Sequence, residues 1–311
     1  MFGKAVVKDM ISRSAENEAD RRIFLKSAGV AGLGAVGASA LLGSGPAAAA
    51  ETATEKATDA AVLNFALNLE YLEAEFYQYA AFGKGLPDSL TGGKGKQGGV
   101  TGGRAVSFST PAIGNYAREI AMDELDHVRF LRKALGSAKV SRPAINIQES
   151  FTAAAQAAGV VGPGQTFDPY ASENNFLLAA FLFEDVGVTA YKGAAPLITN
   201  KTYLEAAAGI LAVEAYHAGI VRTALYSKDL QPQVAQLSNA RDSLDGKKAL
   251  DQGIGDSSVA NLVPTDKNGI AFSRSPGQVL NIVYLNPKSV KKGGFFPKGV
   301  NGAVNQSAGK K

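Results

Sequence analysis

The chain of 311 residues has only two histidines, and each stands three residues after a glutamate. Glu124 precedes His127 in AMDELDHVRF, and Glu214 precedes His217 in LAVEAYHAGI. Residues three apart share one face of a helix, so each pair can present an oxygen and a nitrogen to one ion. Both pairs interrupt stripes that are otherwise apolar: Ile113, Ala117, Ile120, Leu131 and Ala134 in one, Ala207, Ile210, Val221 and Ala224 in the other. A single Glu-x-x-His is most simply a surface glutamate beside a satisfied core histidine. Two copies, both at mid-stripe and together using every histidine, point instead to metal ligation.

Two further stripes carry carboxylates at their middles. One is Leu177, Phe181, Glu184, Val188, Tyr191 and Ala195; the other is Leu63, Ala66, Glu70, Glu73, Tyr77 and Ala80. Four buried carboxylates would repel one another and lose their hydration, a cost that two divalent cations remove. Oxygen and imidazole ligands suit iron, manganese or zinc, and bridging carboxylates hold two such ions about 3.5 to 4 Å apart. The predicted ligands are Glu70, Glu124, His127, Glu184, Glu214 and His217, which are also the predicted catalytic groups.

The chain repeats itself, since Glu70 precedes Tyr77 by seven just as Glu184 precedes Tyr191, and each half then supplies one Glu-x-x-His. Aligning the halves sets Glu70 against Glu184 and Glu73 against Gly187, which favours Glu70 as the ligand of the first segment. Glu73 is left open between a group backing the ligands and a partly solvated neighbour. Tyr77 and Tyr191 are read either as donors to ligand carboxylates or as aromatic filling. Asp123, Asp126 and Asp185 fall off the stripes and are expected to be solvated.

Four long helices must position these groups. The first is expected over about 59–82, after Thr58 and before Gly83. The second follows Thr110, with Pro111 at its first position, to Gly136. The third follows Ser172 and ends before Pro196; the fourth starts near Thr202, whose spacing to Glu205 is that of a capping box, and runs to about Tyr226. Each is about 35 Å long at 1.5 Å per residue, so they match as partners in an all-α, antiparallel four-helix bundle. Residues 137–171 are long enough to cross the bundle between its halves. Residues 83–103 hold nine glycines but lack the spacing of a phosphate-binding loop, and are expected to be a flexible surface loop. A short helix is expected from Ser275, Pro276 and Gln278 through Leu285, and GGFFPKG is read as two phenylalanines tucked against the bundle. From Lys288 onward six lysines and no acid suggest a solvated tail. The expected division is a signal over 1–50, a bundle over 51–226 and an extension over 227–311 packed on it, too poor in apolar residues to form its own core.

The paired Glu-x-x-His segments with their two partner glutamates resemble the ferritin-like superfamily of di-metal carboxylate bundles, which includes bacterioferritin and rubrerythrin. LNLEYLEAEFY, FLFEDVGVTAY and NLVPTDKNGIAFSRSPGQVLNIVYL are similar to bacterial ferritin-like proteins grouped with plant desiccation-related proteins. The resemblance implies a glutamate from each of two helices and a Glu-x-x-His from each of the other two. It also implies a site for two iron ions, or manganese or a mixed pair, with oxygen or peroxide as the reacting partner. The rubrerythrin likeness allows Glu73 as an alternative ligand when the metal changes charge.

Residues 20–50 run from Arg21 and Arg22 through Phe24, Leu25 and Lys26 to a weakly apolar stretch and small residues ending at Ala50. This resembles a Tat export signal, although Asp20 departs from the usual Ser or Thr. The resemblance implies export of a folded, metal-loaded protein to the periplasm or cell surface, cleavage near Ala48 to Ala50, and no stable membrane insertion afterwards. Without residues 1–50, 26 basic and 24 acidic residues remain, a net of +2 that gives no reason to expect a nucleic-acid partner. The absence of cysteine excludes disulfides and iron–sulfur clusters in this chain, and with them a rubrerythrin-type electron-transfer domain. If a homodimer forms, the bundle sides and the extension are its expected contacts. The expected activity is oxidation of ferrous iron or removal of peroxide; the alternative is a non-catalytic, stress-associated protein whose metal only staples the bundle.

Overall fold

The computed structural model describes residues 53–309; the expected export signal lies outside the described residues. The four long helices are α1 (Ala53–Phe82), α2 (Pro111–Leu135), α4 (Glu173–Ala194) and α5 (Lys201–Ser227), with a shorter α3 (Glu149–Ala158) in the crossover. Beyond them come α6 (Gln231–Leu244) and α7 (Pro276–Val283). The chain is thus all-α. Helix α1 packs along α2 and α4 along α5, and the two hairpins face each other across the core.

Local chemistry sets most boundaries. Ser172 accepts a hydrogen bond from the Asn175 amide at the start of α4, and Ser275 and Gln278 close a full capping box on α7. The start of α5 differs from expectation: Asn200, not Thr202, is the cap, accepting from the amides of Thr202 and Tyr203. Asp59, fully buried on α1, accepts from the amides of Thr199 and Asn200 and fixes that corner. Helix α1 begins at Ala53, before Thr58. Thr110 caps α2 without using its side chain, whose hydroxyl donates to Glu173 instead.

The glycine-rich connection is pinned, which corrects the expectation of a flexible loop. Its strand β1 (Val100–Thr101) pairs in parallel with β2 (Ile145–Asn146) of the crossover. A β-carbon at Gly98 would stand 2.3 Å from the Ala144 amide nitrogen, so glycine permits this close approach.

The residues after α5 close over the bundle. Phe295 is fully buried with its ring centroid 4.9 Å from those of Phe151 and Phe183. Asp185, expected to be solvated, is buried: its Oδ2 lies 2.8 Å from both Arg222 Nη1 and Arg241 Nη2. Arg241 also reaches Asp251 at 2.5 Å, and Arg274 pairs with Asp245 and Asp251 at 2.6 Å each. The off-stripe position of Asp185 faces these arginines, most of which lie beyond the bundle in sequence. Nor is the lysine-rich tail wholly solvated, because Ser307 is buried and its hydroxyl donates to the Lys288 carbonyl.

Candidate metal centre

Each central helix brings its mid-stripe groups to one place. Ligand atoms of Glu70, Glu124, His127 and Glu214 all lie within 4.8 Å of one another, as do those of Glu124, Glu184 and His217. Glu124 belongs to both groups and would join them if each held a cation. His127 Nδ1 stands 3.2 Å from Glu70, 3.5 Å from Glu124 and 3.6 Å from Glu214. His217 Nδ1 stands 3.1 Å from Glu124 and 3.7 Å from Glu184. The six side chains therefore converge from four helices into two adjoining sets.

These residues fit cations. Two ligands on one ion at about 2.1 Å each stand no more than about 4.2 Å apart, so the sets need only small adjustments. More telling is what the side chains lack. Both oxygens of Glu124, both of Glu214, Oε2 of Glu184 and Nδ1 of His217 are buried without a hydrogen-bond partner. Glu124 Oε1 and His217 Nδ1 approach at hydrogen-bond distance, but their angle forms no bond. Buried polar atoms left unpaired in such number are costly, and a cation in each set would satisfy them.

Electrostatics agree. Burial pushes Glu70 up to about 7 and Glu184 up to about 8, and pushes Glu73 and Glu214 well above the ordinary carboxylate range, with neighbouring carboxylates adding to it. Burial alone would raise Glu124 too, but the imidazoles of His127 and His217 outweigh it and hold that carboxyl low. Burial alone would lower both histidines. Glu70 and Glu124 nevertheless bring His127 to about 11, and Asp123 and Glu124 bring His217 to about 10. Protons thus gather where positive charge is wanted.

The tyrosines link the halves. Tyr77 donates to Glu184, and Tyr191 donates to Glu70, so each hydroxyl holds a carboxylate of the other half. Glu73 is buried on the same face of α1 but outside both ligand sets. Asp126 is exposed and pairs with Arg129. Asp123 is the residue that sequence reasoning missed: although half exposed, its carboxylate lies 3.1 Å from His217 Nε2, the nitrogen turned away from the cluster. The signal was its place beside Glu124, with the facing helix supplying the histidine.

A buried carboxylate–imidazole cluster at the centre of two helical hairpins defines a class of protein, and comparison agrees. The family described as "Ferritin-like domain" matches residues 58–227, and the chain belongs to it. It is 32% identical over 265 residues to the desiccation-related protein PCC13-62 of Craterostigma plantagineum, covering 79% of this chain and 83% of that protein. It is 27% identical over 269 residues to the ferritin-like catalase Nec2 of Nesocodon mauritianus, covering 79% and 84%. No solved structure gives a significant match.

Proposed function

We propose that this chain is an exported oxidoreductase that holds two iron or manganese ions and removes hydrogen peroxide or oxidises ferrous iron in stress protection. The observation that carries the reading is the convergence of unpartnered buried ligand atoms on two adjoining cation positions. The name of the Nec2 relative, a ferritin-like catalase, supports peroxide as the reacting molecule. Export is supported by the twin-arginine segment at residues 21–26.

A pair of redox-active ions bound there supplies the two electrons exchanged when two hydrogen peroxide molecules become two waters and one oxygen. The chain's residues do the rest. Glu124 holds both positions together, and Glu70, Glu184 and Glu214 cancel the charge. The hydroxyls of Tyr77 and Tyr191 fix one oxygen of Glu184 and of Glu70, so these carboxylates keep their orientation. Asp123 orients the His217 ring. The apolar stripes above and below exclude bulk water, which strengthens each of these interactions.

The experiment is metal analysis of the purified protein together with oxygen release from hydrogen peroxide and ferrous oxidation. Two ions per chain and turnover of either substrate are expected, both lost in the double variant His127→Ala, Glu214→Ala. Full activity in that variant refutes the reading.

A second reading draws on the higher identity to the desiccation-related protein: the metal closes the bundle, and protection follows without turnover. Metal-bound protein that melts well above the chelator-treated form, with neither activity, favours it.

A further inference from the structure

Glu73 is the buried glutamate of the ligand stripes that belongs to neither set of converging atoms. It sits one turn beyond Glu70 on the same face of α1, and the correspondence between the halves sets it against Gly187. That glycine borders the same space. A β-carbon there would stand 2.3 Å from Glu214 Oε2 and 3.5 Å from Glu73 Oε1. The carboxylates of Glu73 and Glu214 therefore meet over the place where α4 carries no side chain. Glu73 and Gly187 also border a cavity of about 20 Å³, otherwise walled by apolar residues including Leu72, Val186 and Phe295. Such a space holds about one water.

The two cation positions are consequently unequal. One is bounded by Glu70, Glu124, His127 and Glu214, the other by Glu124, Glu184 and His217. The first has three carboxylates to the second's two, and Glu73 adds a further carboxyl group beside Glu214. Affinity for a hard divalent cation rises with the carboxylates around it.

We propose that Glu73 is a functional carboxylate of the metal centre, lying beside the Glu214 carboxylate whose place the missing side chain at Gly187 keeps open, and that it makes the Glu70–Glu124–His127–Glu214 position the one that fills first. This rests on the di-metal reading above and deepens it, by naming the order of loading and the residue that sets it.

The test is calorimetric titration of Mn²⁺ into the full-length, metal-free protein, with thermal melts of each variant. Wild type is expected to bind in two steps at least about tenfold apart in affinity, and Glu73→Gln to weaken the first about tenfold, a typical loss for a group supporting metal ligands. The second step is unchanged. Gln keeps the volume and removes a buried carboxyl from among its like neighbours, so the metal-free variant melts no lower than wild type, which a merely structural role for Glu73 would not give. Gly187→Ala displaces Glu214 and weakens the same step. Glu119→Gln, an equal loss of charge on the exposed face of α2, changes neither. Two equal steps in wild type, or an unaltered first step in Glu73→Gln, overturns the inference and leaves the di-metal reading standing. Absence of any binding by wild type overturns that reading instead.

Discussion

The carboxylate of Asp123 lies 3.1 Å from Nε2 of His217, while Nδ1 of the same ring faces Glu124 at 3.1 Å. One imidazole thus joins a half-exposed acid to the buried cluster. The contact fixes which nitrogen faces inward and makes that nitrogen a better ligand. Asp123→Ala is expected to weaken the second step of metal binding by about 10- to 100-fold. Asp126→Ala, which removes a solvent-exposed partner of Arg129, leaves it unchanged. Calorimetric titration of the two variants side by side checks this.

The tyrosine hydroxyls are expected to matter in the same cross-connected way. Tyr77→Phe strips Glu184 of its donor and Tyr191→Phe strips Glu70 of its donor. Leaving a buried acceptor unpaired costs about 1–3 kcal/mol. Each variant should lose about that much stability in urea denaturation of the metal-free protein, and the two losses should depart from additivity, since both carboxylates interact with Glu124 in one cluster.

Proton linkage gives a pH dependence with a definite sign. Glu70, at about 7, and Glu184, at about 8, lie above their ordinary value of 4.5. Their neutral forms stabilise the folded, metal-free protein fully below pH 4.5, and that contribution is lost as pH rises through 7 and 8. The histidines, raised from 6.5 to about 11 and 10, hold theirs in full below pH 6.5 and lose it progressively from there, adding to the fall. Glu124 is shifted the other way, but its effect falls below pH 4.5. The melting temperature of metal-free protein should therefore fall between about pH 5 and 8.5. At neutral pH both imidazoles carry protons that a cation must displace. Binding heats measured in buffers of different ionisation enthalpy should show proton release, and affinity should rise with pH. A melting temperature that climbs across this range contradicts the assignment.

The arginine network behind Glu184 is expected to hold the C-terminal residues to the bundle. Arg241 touches Asp185 and Asp251, and its guanidinium carbon lies 4.3 Å above the Phe181 ring. Arg241→Ala leaves two buried carboxylates short of a partner, and breaking a buried pair costs about 3–5 kcal/mol. Chemical denaturation should show that loss, and Arg241→Lys should recover little of it, because an ammonium cannot span both acids or stack on the ring.

How much of this was legible beforehand depended on whether the signal was local. The mid-stripe positions of Glu70, Glu124, Glu184 and Glu214 could be read because a helix repeats every 3.6 residues, and the cap at Ser172 because capping acts over three residues. Asn200 was passed over because its choice depends on Asp59, far away on α1. Asp185 looked solvated because its partners Arg222 and Arg241 come 37 and 56 residues later. The helix Gln231–Leu244 gave little warning, since few of its residues are buried and Arg241 is one of them. The glycines of 83–103 signalled a loop correctly, but their need for close approach to Val140 and Ala144 appears only once the crossover lies beside them.

The most direct test of the central claim is anomalous scattering at the iron and manganese edges from crystals of protein purified from its own source, with elemental analysis of the same sample. Two peaks are expected, one within bonding distance of Glu70, Glu124, His127 and Glu214 and one of Glu124, Glu184 and His217. A metal-free centre whose carboxylates are held by protons and ordered water, in protein never exposed to chelator, contradicts the account.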